Sequence, residues 1–107
     1  MNVIFVSYHN FTSQSSIHIF YLANHLKDLG VECAVCVPDN KESVHYIGKP
    51  RFIQLTYKDA LGLNWKFSDG RKPTIIHAWT PREIVRQQTE QLVQRFTCPY
   101  MVHLEDN

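Results

Sequence analysis

The amino-acid sequence predicts an α/β fold: a parallel sheet buried on both faces, with helices flanking it. Three observations predict this. Residues 3–8 form an unbroken apolar and β-branched run, the pattern of a strand covered on both sides rather than one alternating against water. An amphipathic stretch follows, and after Gly30 a second apolar run, 31–37, begins at once, which is the spacing of a βαβ unit with its right-handed crossover. A third run, 74–79, stands directly before helix-start residues and repeats the strand-to-helix step.

Taken in order, the first strand reaches the N-terminus, and the loop after it leads into a helix. The apolar positions of that helix, Ile19, Leu22, Ala23, Leu26 and Leu29, recur every three or four residues. Ser15 or Ser16 is expected to supply its N-cap, and Gly30 its stop. Pro38-Asp39-Asn40 ends the second strand, and 51–57 alternates enough to be a third strand at the edge. Segment 58–72 is expected to hold a short helix at 59–63 and a loop closed by Asp69-Gly70. After the fourth strand, Thr80 reads as an N-cap, Pro81 as the first helical residue, and Glu83 as the partner that completes a capping box. That helix continues through Val85, Leu92, Val93 and Phe96 to a stop at Thr97-Cys98-Pro99, and 100–104 begins a fifth strand.

Composition narrows the function classes. With 107 residues there is room for one domain; hydrophobic residues make up 44% and charged residues 20%, and no apolar run approaches the ~18 residues of a membrane span. The N-terminus turns apolar without a basic region or a small-residue cleavage site, so a secretory signal is not expected and the cytoplasm is the expected compartment. Three cysteines fit a reducing environment. Cys33 and Cys36 form a C-x-x-C, but inside a strand positions three apart face opposite sides, which predicts two buried thiols rather than a redox or metal pair. The net charge of +1 and the scattered cations exclude a nucleic-acid stripe. The short cluster of Lys66 with Arg71-Lys72 reads either as a solvated loop or as a contact for an anionic membrane surface.

In open parallel sheets, ligands bind outside the carboxyl ends of the strands. This selects segments 9–18, 77–83 and 103–107, and in the strand order 3-2-1-4-5 the first two face one crevice. Neither G-x-G-x-x-G nor a Walker A motif is present. What remains is a serine-rich helix start at 13–18, where free amides favour an anion such as phosphate or the serines act as plain caps. His77 and His103 lie late in buried strands, as structural or functional histidines. Glu105-Asp106 reads as a catalytic or a solvated pair, and Trp79 as a stacking platform for a sugar or base, or as a core wedge.

The segments Asn2-Val3-Ile4-Phe5-Val6-Ser7, Leu29-Gly30-Val31-Glu32 and Ile75-Ile76-His77-Ala78-Trp79-Thr80-Pro81-Arg82-Glu83, with the closing 98–106, carry a family resemblance. The whole chain resembles the start of the Rossmann-like N-terminal domain of family-4 glycosyltransferases, the large retaining group with the GT-B fold. The third segment is the most specific, because such enzymes often show Ile-His-Ala-His-Thr-Pro near the fourth strand. The resemblance implies that 1–107 is a truncated, acceptor-side domain lacking the donor half with its E-x7-E motif. It places Ser15 and Ser16 in the donor-phosphate loop, and His9, His18, His77, Trp79 and Arg82 along the acceptor cleft. His103, Glu105 and Asp106 become the catalytic candidates; counting from Pro99, Glu105 falls where the family has its cleft histidine. No metal or cofactor is implied. The implied partners are a nucleoside diphosphate sugar and a glycan or lipid acceptor, and the isolated chain is expected to be inactive. The alternatives are a non-catalytic binding or assembly module and the front half of a GT-B sugar epimerase. An unpaired edge beyond the fifth strand would also invite self-association.

Overall fold

The computed structural model describes residues 1–105. Five parallel strands, β1 (Asn2–Val6), β2 (Glu32–Val37), β3 (Ile53–Thr56), β4 (Ile75–Trp79) and β5 (Tyr100–His103), form one sheet in the order β3-β2-β1-β4-β5. The Rossmann-like α/β arrangement expected from the sequence is therefore present. Helix α1 (Gln14–Asp28) covers one face, and α2 (Tyr57–Leu61) and α3 (Glu83–Phe96) cover the other.

The side chains of each strand alternate between these two layers. Val3, Phe5, Cys33, Val35 and Val37 pack under α1 with Ile19, Phe20 and Ala23. Ile4, Val6, Ala34, Cys36, Ile76 and Ala78 pack under α3 with Val85 and Leu92. Val3, Ile4, Phe5 and Val6 of β1 are buried because the two layers claim them alternately, which explains the apolar run. The same alternation separates Cys33 from Cys36, and all three cysteines are free and buried. Burial pushes the Cys33 thiol up to about 11 and Cys36 higher still.

Gly30 ends α1 as expected, at φ +82°. The Gly30 amide donates to the Lys27 carbonyl at 3.1 Å and the Val31 amide to Leu26 at 3.0 Å, the paired bonds of a Schellman motif. The start of α1 differs from expectation. Its N-cap is Ser13, whose hydroxyl accepts from the Ser16 amide, and Ser15 and Ser16 sit inside the first turn. A 3-10 turn at Lys41–Tyr46 places the Ser43 hydroxyl to accept from the Phe11 amide at 2.9 Å and so anchors the β1–α1 loop.

The short helix α2 begins two residues earlier than expected, under a capping box between Thr56 and Asp59. The corresponding box expected at Thr80 and Glu83 does not form. The Thr80 amide donates to the His103 carbonyl at 2.9 Å and extends the β4–β5 ladder. Thr80 takes φ +76°, its buried hydroxyl has no partner among the described residues, and α3 starts at Glu83 with Arg82 as N-cap. Glu83 turns instead to Arg86, whose Nε lies 2.9 Å away.

On β5, Tyr100, Met101 and Val102 are exposed along the free edge. A groove of about 460 Å³ between α3 and β5 is lined by Val85, Thr89, Val93, Tyr100 and Val102. No helix among the described residues is long and apolar enough to cross a membrane.

Candidate functional site

The carboxyl ends of β1 and β4 meet at the point where the strand order reverses. Here the structure brings together Ser15 and His18 from α1, Trp79 from β4, and His103 and Glu105 at and after β5. One oxygen of Glu105, Oε2, accepts a hydrogen bond from the Ser15 hydroxyl at 3.0 Å and another from the Trp79 indole N–H. Its other oxygen lies 3.6 Å from His18 Nδ1. The Glu105 side chain is only 15% exposed, so this acid is withdrawn from water and held by groups from two other elements. Such charge-assisted bonds are stronger than neutral ones.

An aromatic layer lies beneath the carboxylate. The Trp79 and His103 rings stack with centroids 3.9 Å apart at 13°. His77 lies between Phe5 at 4.9 Å and Trp79 at 5.3 Å, with His103 at 5.4 Å. Burial, and secondarily the proximity of His103, lowers the His77 pKa to about 4, and its Nε2 has no hydrogen-bond partner among the described residues. His77 is therefore a neutral ring at physiological pH.

The two loop serines have different roles. Ser16 is fully buried; its hydroxyl donates to the His9 carbonyl at 2.9 Å and contacts Ser7 Oγ at 2.6 Å and Ser13 Oγ at 3.1 Å. With every lone pair and proton engaged, that side chain fixes the loop and presents nothing to the crevice. Ser15 alone directs its hydroxyl toward Glu105. His9 has an exposed ring, and its backbone oxygen serves the loop. Arg82 stands apart from the carboxylate, its guanidinium 3.9 Å over the Tyr8 ring. Asp106 lies outside the described residues.

Sequence reasoning missed Tyr8 and Tyr57. Tyr8 ends the first apolar run at a carboxyl-end position, which was the available signal for a crevice residue. Tyr57 donates its hydroxyl to the Ser7 carbonyl at 2.6 Å, and burial raises its pKa. No short-range pattern links residues 50 apart. Among the described residues, no His, Cys, Asp and Glu side chains gather in a group of three that could hold a metal ion.

Chemically, the corner offers a hydroxyl, an indole N–H and an imidazole directed at one acceptor, beside a flat aromatic floor. That set suits a hydroxylated or anionic ligand. Searches against protein-family models and curated proteins found no match. Among solved structures, that of MT0777 superposes on 94% of this chain and 65% of its own, with a TM-score of 0.59 and 10% sequence identity. The present chain thus spans 65% of the length of that structure. At this identity the likeness extends to the fold alone.

Proposed function

We propose that this chain is the acceptor-side N-terminal part of a retaining glycosyltransferase, one that passes a sugar from a nucleoside diphosphate sugar to a glycan or lipid acceptor on the cytosolic side. One observation carries the reading: residues that the family resemblance marks on three separate segments, Ser15 with His18, Trp79, and Glu105, meet around one carboxylate at the switch point. In this reading the first turn of α1 faces the donor's phosphates, Trp79 and His103 offer an aromatic platform to a sugar ring, and Glu105 accepts from a substrate hydroxyl. The donor half is contributed by chain beyond these residues, so the isolated chain turns over no substrate.

An amide-resolved NMR titration of the chain with UDP, GDP and short glycans tests this. Shifts at residues 13–18 and at the Trp79 indole, without turnover of any nucleoside diphosphate sugar, support it. Shifts confined to other regions contradict the site, and turnover by the isolated chain contradicts the division of labour. A second reading, a binding module without chemistry, is favoured by the Glu105 carboxylate, which already satisfies Ser15 and Trp79 as an incoming ligand would. Glycan binding with no response to either nucleotide would select it.

A further inference from the structure

The end of the molecule opposite the crevice, where the strands begin, carries a cationic face with an apolar tip. Lys66, Arg71 and Lys72 ring a shallow hollow of about 190 Å³, whose walls include Trp65, Phe67 and Phe96. Arg95, from the last turn of α3, joins them: its guanidinium lies 4.8 Å over Phe96 and donates to the Gly62 carbonyl at 2.8 Å. The next residue, Leu63, is 84% exposed. Four cations from two segments, separated in sequence by the whole of β4 and most of α3, thus gather at this end, with the exposed Leu63 next to the Gly62 carbonyl that Arg95 binds. The side chains of Lys66 and Arg71 have no hydrogen-bond or ion-pair partner among the described residues. The nearby acid, Asp69, sits beside Arg71 at the border of this face, accepting from the Arg71 amide at 2.9 Å and the Asn2 amide group at 3.0 Å.

We propose that this face docks on an anionic lipid bilayer. The argument is charge complementarity together with the apolar tip. Lys and Arg near an anionic membrane surface each strengthen attachment by about fivefold, and an exposed leucine at the same end can enter the headgroup boundary as they bind phosphates. A nucleic acid is the poorer fit. Trp65 packs against Phe67 at 5.3 Å and Phe96 at 5.9 Å and donates its N–H to Ala60, so it is not a free platform for a base. Leu63 offers a nucleic acid nothing. Docked in this way, the molecule holds the β1–β4 crevice toward the water, so the inference stands apart from the glycosyltransferase reading.

Vesicle flotation tests it, comparing phosphatidylcholine alone with phosphatidylcholine mixed with phosphatidylglycerol. The chain should float with the anionic vesicles only, and raised salt should release it. Lys66→Ala with Arg71→Ala should weaken binding about 25-fold, Leu63→Asn should weaken it further, and Lys49→Ala, outside the patch, should leave it unchanged. All these positions are exposed, and circular dichroism checks that each variant is folded. Equal binding to neutral vesicles, indifference to the Lys66/Arg71 double variant, or tighter binding to single-stranded RNA that the same substitutions abolish would each overturn the proposal.

Discussion

Lowering the pH from about 7 to about 4 should cost this fold about 1–2 kcal/mol through the half-buried His77, once its partial exposure to solvent is discounted. The ring is packed among Phe5, Trp79 and His103, and its pKa falls from 6.5 to about 4, chiefly because burial disfavours the imidazolium. In the unfolded chain the same ring protonates near 6.5, so between the two values the unfolded state binds a proton that the native state refuses. Stability is unaffected above that window and falls as the pH drops through it. At about 1.4 kcal/mol per pH unit the full shift would amount to about 3 kcal/mol by pH 4, and solvent screening of the half-buried ring reduces the expected loss to about 1–2 kcal/mol. Urea unfolding across this range, with His77→Phe as the control, isolates the effect, because the variant keeps a flat ring but cannot titrate. The wild-type curve should fall away from the variant curve below about pH 6. Parallel curves, within about 0.5 kcal/mol throughout, would refute the assignment of His77 as a neutral, half-buried ring.

Other substitutions probe separate parts of the argument. Glu105→Gln should lower stability by about 1–2 kcal/mol and change Trp79 fluorescence, since it weakens bonds to Ser15 and the indole; an unchanged emission spectrum would mean that the carboxylate is solvated instead. Thr97 closes α3 at φ +51°, so Thr97→Gly should add about 1 kcal/mol, whereas Gly30→Ala at φ +82° should remove a similar amount; opposite signs in thermal unfolding would refute the strain argument. The buried thiols Cys33, Cys36 and Cys98 should resist alkylation in the native state and react in urea, and rapid native labelling at Cys33 or Cys36 would contradict their placement on the two core faces.

Two similar motifs show how far local sequence reaches. Thr56 and Asp59 stand three apart at the end of β3, and Thr80 and Glu83 stand three apart just after β4. Only the first pair forms a capping box. The β3 strand lies at the sheet edge, so the Thr56 amide is free to donate to the Asp59 carboxylate. The β4 strand is interior, and the Thr80 amide is claimed by His103, 23 residues further along the chain. The Ser15 and Ser16 pair divides in the same way. Their positions near a helix start were legible, but which hydroxyl is enclosed depends on Ser7 and His9 arriving from β1.

The sequence alone determined the fold class, the Gly30 stop and the opposite faces of Cys33 and Cys36, because periodicity and backbone stereochemistry act within a few residues and leave a direct imprint on the chain. Only the tertiary structure decided that Glu105 closes on Ser15 and Trp79, that His77 is held neutral, and that Arg95 joins Lys66 and Arg71. Those outcomes are set by burial and by contacts between segments tens of residues apart, for which no local pattern is required.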